Sequence, residues 1–418
     1  MRVSGHIVVM SLCLLALCSC ARRGGTPSVK DREYYEGLYF SSLEATPHIR
    51  QYSLPEALRF ADGRPVETPA QWYGSRRPEL LDLFEREMFG YAPDAIAGTT
   101  CTVVESGPAL GGMAVRKQVK IDFHRDGQYI SVLMYLPAAS RGPVPVFLGI
   151  NFDGNASISA DEAIIYPDAS HTSLWGDYSP APRGSQSSRW PLEYIIGRGY
   201  GVVTFHCADV DPDFDDGFAN GVTPFIYEPG QTKPRPDQWG TISAWAWGLS
   251  RVLDYLQTDA DVDEERVAVF GHSRMGKTAL LAGARDERFA MVISNCSGCC
   301  GAALSRREYG ETVESITHLF PHWFCGNFSK YASDVDALPF DQHELLALIA
   351  PRPVYVASAE EDAWADPTGE RLSLQEASRV YAFLGLAPSL TGYHIHEGPH
   401  SISLTDWRWY LDFADRYL

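Results

Sequence analysis

The fold of this chain is decided by Arg266-Val-Ala-Val-Phe-Gly-His-Ser-Arg-Met-Gly-Lys-Thr-Ala-Leu-Leu-Ala-Gly-Ala-Arg285. Residues 267–270 form a short β-branched and aromatic run, which is typical of a buried strand. Gly271 ends that run, and residues 277–284 favour a helix. A serine at the tip of a sharp turn between a strand and a helix is the pattern of a nucleophile elbow. The stretch therefore predicts that Ser273 lies above a sheet, where the N–H groups of the next helix can bind an oxyanion.

The elbow departs from the usual G-x-S-x-G pattern in two ways. Its second glycine, Gly276, stands one position late, and the cations Arg274 and Lys277 occupy the first helical turn. The helix dipole disfavours positive charge there. We interpret both cations as facing a developing anion or an oxygen-rich substrate; in the alternative interpretation they are solvated and Ser273 only caps the helix.

The rest of the chain alternates between buried strands and helices. A helix is predicted over residues 241–256, and a closing helix over 405–417. An antiparallel pair at 115–123 and 129–136 turns at Asp126-Gly127. A further helix is expected to open at Ser75 and to end at Gly90. Continuous apolar runs that predict parallel strands occupy residues 144–150, 201–205, 267–270, 290–294, 353–357 and 392–396. The predicted class is α/β: a three-layer sandwich with a mostly parallel central sheet, N-terminal antiparallel strands and a short N-terminal helical extension.

Composition restricts the kinds of partner. The chain has 418 residues, of which 45% are hydrophobic, and a formal net charge of −18. This charge argues against a nucleic acid or an anionic membrane as the partner.

The first residues predict export. An apolar stretch at 7–17 is too short to span a bilayer and is followed by Leu17-Cys18-Ser19-Cys20, which resembles a bacterial lipobox. We expect cleavage before Cys20 and a lipid anchor on its thiol; ordinary signal-peptidase cleavage nearby is the alternative, with secretion as the outcome. The expected division of the chain is a lipoprotein signal peptide at 1–19, a tether at 20–50, an N-terminal extension packed on the main domain at 51–98 and a catalytic domain at 99–418.

The remaining cysteines and acidic residues suggest no metal site. The cysteine spacing fits no zinc pattern, so we expect no metal. Cys299 or Cys300 could form a disulfide bond with Cys325, because an exported protein can be oxidised. The acidic stretch 209–216 lacks the glycine and glutamate of a calcium loop, and we expect it to be a solvated loop.

A serine nucleophile needs a base, and the base needs an orienting acid. In α/β-hydrolases the acid and then the histidine follow the serine, on loops after late strands. His400 lies between the last predicted strand and the closing helix, whereas His394 and His396 lie within that strand. Asp362 is the preferred acid, and Glu361 and Asp366 are its competitors. The predicted triad is Ser273, Asp362 and His400.

Several motifs resemble those of the glucuronoyl esterases of carbohydrate esterase family 15, over about residues 50–418. They are Gly271-His-Ser-Arg-Met-Gly-Lys277, Ala303-Leu-Ser-Arg-Arg307 with Gly310-Glu311, Phe320-Pro-His-Trp-Phe324, Ala357-Ser-Ala-Glu-Glu-Asp-Ala-Trp-Ala-Asp-Pro367 and Gly398-Pro-His400. The resemblance implies an α/β-hydrolase that cleaves esters between lignin alcohols and the 4-O-methyl-glucuronic acid groups of glucuronoxylan. It implies no metal and no organic cofactor.

The resemblance also implies roles for individual residues. It makes Ser273 the nucleophile, His400 the base and Arg274 an oxyanion stabiliser. The positions that hold the uronic acid correspond to Lys277, Glu311 and Trp364.

One departure from the family concerns the acid. Many members carry it as a glutamate after the strand that follows the elbow, where Cys296 stands in this chain. Others use an aspartate in the later loop, which matches Asp362. If Cys296 has simply removed the acid, activity is weak.

Two rival functions remain open at this stage. One is another carbohydrate serine esterase, such as an acetylxylan esterase, whose chemistry is the same and whose acyl pocket differs. The other is a surface lipoprotein that binds glycan with a decayed active site. In all three cases we expect a monomer that contacts a membrane only through Cys20.

Overall fold

The computed structural model describes residues 49–172 and 181–418. The predicted signal peptide, the predicted lipid site at Cys20 and nearly all of the tether lie outside these residues. Within the described ranges, every helix is too short or too polar to cross a bilayer.

The described residues form one sheet of nine strands in the order β1-β2-β3-β5-β4-β6-β7-β8-β9. The strands are β1 (Thr100–Ala109), β2 (Ala114–Arg125), β3 (Gln128–Pro137), β4 (Val144–Asn151), β5 (Gly201–His206), β6 (Val262–His272), β7 (Met291–Asn295), β8 (Val354–Ala359) and β9 (Thr391–His396). Pairing is antiparallel from β1 to β5 and parallel from β5 to β9. The predicted mostly parallel sheet with antiparallel N-terminal strands is confirmed.

Helices cover both faces of this sheet. The longer helices of the described residues are α1 (Arg77–Phe84), α2 (Leu192–Gly197), α3 (Thr241–Leu256), α4 (Arg274–Arg285), α5 (Val313–Leu319), α6 (Gln342–Ala347), α7 (Pro367–Phe383) and α8 (Leu404–Tyr417). Side chains alternate across a strand, so β6 contributes Val269 to one hydrophobic cluster and Phe270 to the other. Trp245 of α3 lies in the first cluster and Trp407 of α8 in the second. The three-layer sandwich is confirmed.

The predicted hairpin is present, and its turn explains its sequence. Asp126 and Gly127 connect β2 to β3 and have φ values of 50° and 74°. A two-residue turn of this kind requires positive φ at both positions, which Asp-Gly tolerates well.

The N-terminal helix begins earlier than predicted. A continuous helical run starts at Pro69, where the Thr68 side chain accepts a hydrogen bond from the Gln71 N–H, and it ends before Gly90 (φ 80°) as expected. Ser75 lies inside a π-helical stretch, Trp72–Arg76, and does not cap the helix. The prediction was wrong because Thr68-Pro69 carries the same cap-and-proline signal further upstream.

The helical run packs on the main domain through buried arginines. Arg76 Nη2 donates to Glu344 Oε1 of α6 (3.1 Å), and Arg77 Nη2 donates to the Ala284 carbonyl of α4 (2.8 Å).

The disulfide prediction was wrong. The described cysteines are free thiols. Cys299 Sγ contacts Cys300 Sγ (3.7 Å), whereas Cys325 Sγ faces the Arg86 carbonyl oxygen (3.7 Å) at the end of the N-terminal helical run. Cys325 is thus directed toward a different element from Cys299 and Cys300, whose sulfur atoms contact each other.

Candidate active site

The elbow has the strained geometry that its sequence predicts. Ser273 joins β6 to α4 with φ 61° and ψ −131°, an unusual conformation for a residue with a side chain. Its N–H donates to the Asn295 carbonyl oxygen at the end of β7 (2.9 Å), which holds the turn against the neighbouring strand.

Both elbow glycines are needed for close approach. A Cβ added to Gly271 would lie 1.9 Å from the Met275 carbonyl oxygen, so a side chain there would prevent the turn. A Cβ on Gly276 would lie 2.9 Å from the Ser297 Cβ. The late second glycine therefore lets α4 pack closely against the turn that follows β7.

His400 and Asp362 meet as predicted. His400 Nδ1 lies 2.6 Å from Asp362 Oδ2, and Asp362 Oδ1 also accepts the Ala365 N–H (3.3 Å). The ring centroids of His400 and His272 are 4.5 Å apart, which brings the His400 imidazole beside the residue that precedes Ser273. Within the described residues, no hydrogen bond joins the Ser273 hydroxyl to His400. Such bonds are often formed only in the complex with substrate.

The structure decides between the candidate acids by contact. In the described part of the chain, no hydrogen bond or ion pair joins Glu361 to His400. Asp366 binds Arg307 Nε (2.8 Å) and caps α7 by accepting the Gly369 N–H (3.0 Å). Asp362 is the carboxylate that hydrogen-bonds to the imidazole.

Cys296 lies next to this pair. It follows β7 with φ 46°, and its Sγ, a carboxylate oxygen of Asp362 and a ring nitrogen of His400 all lie within 4.8 Å of one another. A longer acidic side chain at this position would reach the imidazole. Burial, reinforced by the charge of Asp362, raises the pKa of the Cys296 thiol well above its usual value, so the thiol is neutral.

Arg274 is held by an acidic residue that the sequence analysis did not single out. Its Nε lies 2.7 Å from Asp213 Oδ2, and its guanidinium lies over the Phe152 ring, 4.7 Å from the ring centroid. His322 Nε2 and Trp323 Nε1 approach Asp213 Oδ1 at 3.1 and 2.7 Å. Burial alone would raise the pKa of Asp213, but the charge of Arg274 and the His322 hydrogen bond outweigh it and lower that pKa.

The expectation of a solvated acidic loop was therefore wrong for three aspartates. Asp209 accepts from the Ser131 N–H (2.9 Å), Asp211 accepts from the Thr241 hydroxyl (2.5 Å), and Asp213 binds Arg274. The spacing of two between them gave no usable signal, because Asp209 ends a 3₁₀ turn (Cys207–Asp209) and the segment is not an extended strand.

Lys277 is almost completely buried beneath the turn that follows β7. Its ammonium donates to the carbonyl oxygens of Ser297 (2.7 Å) and Cys299 (2.5 Å) and lies 3.4 Å from Glu311 Oε2. Burial raises the pKa of Glu311, whereas the charge of Lys277 and a hydrogen bond from the Trp364 side chain oppose the shift. The structure thus brings together the three side chains predicted to bind the uronic acid.

The histidines of β9 form a second cluster. His394 Nε2 and His396 Nδ1 lie 2.9 and 2.8 Å from the same oxygen, Asp406 Oδ1, and the cluster is buried. Three side chains of types that can bind a metal meet in this cluster, and three more meet at Cys296, Asp362 and His400. In the β9 cluster both histidine contacts have hydrogen-bond lengths, so histidine N–H groups, and not a metal ion, can satisfy the Asp406 carboxylate.

Comparison with known proteins gives consistent results along the chain. A family model described as glucuronyl esterase of fungi matches residues 192–385. The carbohydrate esterase MZ0003, from an unknown prokaryotic organism, is 46% identical over 88% of this chain and 90% of its own length. A 4-O-methyl-glucuronoyl methylesterase of Wolfiporia cocos is 28% identical over 85% of this chain and 77% of its own length.

Solved structures agree with these relatives. A promiscuous CE15 esterase from a marine bacterial metagenome superimposes with a TM-score of 0.80 at 46% identity, covering 89% of this chain and 98% of that one. A glucuronoyl esterase from Solibacter usitatus gives a TM-score of 0.83 at 41% identity, covering 88% and 98%. Sequence and fold agree over nearly the whole described chain, and the protein belongs to the glucuronoyl esterases of carbohydrate esterase family 15.

Proposed function

We propose that the protein is a serine esterase that cleaves esters between the 4-O-methyl-glucuronic acid of glucuronoxylan and lignin alcohols. The observation that carries the proposal is the 2.6 Å contact between His400 and Asp362, beside a strained elbow that presents Ser273. A serine, then an aspartate and then a histidine, in this order along the chain and at these strand ends, form the acyl-transfer set of the α/β-hydrolase fold.

The reaction has two steps. His400 takes the Ser273 proton as the hydroxyl attacks the C6 carbonyl of the uronate ester, and Asp362 stabilises the resulting imidazolium. The alcohol leaves with that proton, and water then releases the glucuronate by the same route. The backbone N–H groups at the start of α4 and the guanidinium of Arg274 stabilise the tetrahedral oxyanion. Losing one such donor typically costs a factor of about 10²–10³ in rate.

The acyl group is recognised on the other side of the elbow. Lys277 is held by two carbonyl oxygens at short distances and by Glu311 at a longer one, 3.4 Å. A sugar hydroxyl that accepts from Lys277 and donates to Glu311 would satisfy both groups in place of their long mutual contact. Trp364, which hydrogen-bonds to Glu311, supplies an apolar surface for the sugar ring.

The finer aspects of location also belong to this proposal. We infer that the chain is exported, cleaved before Cys20 and held at the cell envelope by a lipid on that cysteine, as a monomer. The lipobox-like Leu17-Cys18-Ser19-Cys20 supports this inference.

The test is hydrolysis of benzyl glucuronate, compared with the galacturonate ester and with an acetyl ester. We expect the wild type to prefer the glucuronate ester and the Ser273→Ala variant to be inactive. Lys277→Ala should reduce activity on the glucuronate ester far more than on the acetyl ester. Equal rates for wild type and Ser273→Ala would refute the proposal, and equal effects of Lys277→Ala on both esters would favour a general carbohydrate esterase.

A further inference from the structure

A buried acid, Glu370, lies beneath the turn that follows β7. It belongs to the first turns of α7 and is completely buried. Its Oε1 accepts the backbone N–H groups of Ser297 (2.8 Å) and Gly298 (2.9 Å), and its Oε2 lies 2.5 Å from the Ser358 hydroxyl of β8. One carboxyl group thus connects α7 to the turn after β7 and to the strand that leads to Asp362.

No cation neutralises the Glu370 carboxyl group. Glu370 is completely buried, and within the described residues no lysine, arginine or histidine forms an ion pair with it. An isolated charged carboxylate is costly to bury, so such a group takes up a proton instead. The Ser358 hydroxyl oxygen, 2.5 Å from Oε2, is close enough to accept that proton.

We propose that Glu370 is a positioning residue that acts as a neutral carboxylic acid, fixing the turn whose carbonyl oxygens hold Lys277 in the uronate pocket. Oε1 accepts the two N–H groups of the turn, and Oε2 donates its proton to Ser358. The inference rests on the proposed function for the role of Lys277, but the protonation of Glu370 can be tested without it.

The turn transmits the effect of Glu370 to the pocket. Ser297 and Gly298, which Glu370 holds by their N–H groups, lie in the same turn as the Ser297 and Cys299 carbonyl oxygens that bind Lys277. Within the turn, the Ser297 hydroxyl also accepts the Ala302 N–H (2.8 Å). Loss of the Glu370 contacts would leave buried N–H groups unsatisfied and allow both carbonyl oxygens to move.

The surroundings of Glu370 favour the neutral form. Burial raises the pKa of Glu370 to about 8, the negative charge of Asp362 adds to this, and the hydrogen bonds from the Gly298 and Ser297 N–H groups only partly oppose it. Among the other titratable or charged groups, Cys296 after β7 and Tyr393 on β9 interact with its charge, and Arg371 and the Asp366–Arg307 ion pair are its neighbours along the start of α7. A neutral Glu370 leaves Asp362 as the carboxylate that faces His400.

The decisive variant is Glu370→Gln, because an amide has the same donor and acceptor arrangement as the protonated acid. In the unfolded chain Glu370 ionises near pH 4.3, whereas in the folded protein it ionises at about pH 8. The wild type therefore loses stability as the pH rises between these values, and an amide does not. We expect the Tm of the variant to exceed that of the wild type by a margin that grows from pH 5 to pH 8. Glu376→Gln, on the same helix but in a partly exposed ion pair with Arg379, is the matched control and should show no such trend.

Kinetics test the positioning role. We expect Glu370→Gln to keep the wild-type KM for benzyl glucuronate and to retain activity at higher pH than the wild type, which ionises Glu370 above about pH 8. Glu370→Ala should raise KM about tenfold, because two buried N–H groups lose their acceptor. A Tm of Glu370→Gln below that of the wild type at every pH would show that Glu370 acts ionised and would overturn the proposal. The Tm comparison stands even if wild-type protein does not cleave the glucuronate ester, which would refute the proposed function separately.

Discussion

Two histidine–carboxylate pairs lie close together in this molecule and differ in what they can do. His400 Nδ1 meets Asp362 at 2.6 Å, and His396 Nδ1 meets Asp406 at 2.8 Å. The His400 side chain is 24% exposed, whereas that of His396 is only 5% exposed. His396 Nε2 lies 3.3 Å from the Pro399 carbonyl oxygen and 3.2 Å from the Ser401 hydroxyl.

The difference shows that a short contact with a carboxylate does not identify a catalytic base. A base must pass a proton through its second nitrogen, and both ring nitrogens of His396 are engaged by the protein. The contacts of His396 Nε2 involve Pro399 and Ser401, the two neighbours of His400. We infer that the buried pair fastens the loop that presents the exposed one.

The largest effect should come from replacing each of the two histidines in turn with alanine. His400→Ala is expected to lower kcat by at least about 10⁴-fold with little change in Tm, because loss of a triad member removes most of the chemical acceleration. His396→Ala should mainly lower Tm and affect kcat less, since it loosens the loop without removing the base. The measurements are kcat on benzyl glucuronate and thermal unfolding of both variants. Similar losses of kcat in two folded variants would contradict the division of roles.

Replacing the two acids, Asp362 and Asp406, should show the same division between catalysis and stability, with a smaller loss of kcat than His400→Ala. Asp362→Asn is expected to reduce kcat by about 10³–10⁴-fold, because an amide favours the wrong tautomer of the imidazole. Asp406→Asn should cost about 3–5 kcal/mol of the free energy of unfolding, because it leaves a buried charged partner uncompensated. Asp406 also accepts the Ser403 N–H at the start of α8 (2.7 Å), which adds to its structural role. Wild-type kcat in Asp362→Asn would return the acid assignment to Glu361 or another group.

The buried pair should also define a pH window of stability. Burial opposes the charge of His396, but Asp406 outweighs it and raises the pKa of His396; the two histidines in turn hold the pKa of Asp406 well below its usual value. The contribution of His396 is complete below its unfolded pKa of about 6.5 and is lost as pH rises through the raised folded value. The contribution of Asp406 is present above about pH 3.9 and is lost as pH falls toward its lowered pKa.

The comparison that checks this is the Tm difference between wild type and His396→Gln. We expect the difference to be largest between about pH 4 and 6.5 and to shrink on either side of that range. A difference that does not depend on pH would mean that the pair contributes no ionic interaction.

The sequence analysis predicted those features that local patterns encode. Short apolar runs located the parallel strands, and the strand–serine–helix pattern located Ser273. The order of residues along the chain then placed Asp362 and His400, because late loops of a parallel sheet meet at one edge. The predicted start of the N-terminal helix was wrong, because the cap at Thr68 lies upstream of the one predicted at Ser75.

The supporting residues could not be found in this way. Glu370 binds Ser297 across 73 residues of sequence, and His322 joins Asp213 across 109. Such contacts depend on how whole elements pack, and no local pattern marks them. The disulfide prediction failed for the same reason, since spacing alone does not say which way Cys325 faces.

The smallest effect concerns Cys296, which the sequence resemblance matches to the acid position of many family members. Its thiol is neutral and Asp362 already hydrogen-bonds to the imidazole, so Cys296→Ala should change kcat by less than about threefold, within the range of a conservative packing change.

Introducing an acid at position 296 alone, with Cys296→Glu, should not increase kcat, because two carboxylates beside one imidazole cannot both ionise easily. In the Asp362→Asn background the same substitution removes that conflict and offers the imidazole a new carboxylate. We therefore expect the double variant to recover at least about tenfold of the lost kcat, since an orienting carboxylate restores the productive tautomer. No recovery in a folded double variant would mean that the turn after β7 directs its side chain away from His400, and that this chain can take its acid only from the later loop.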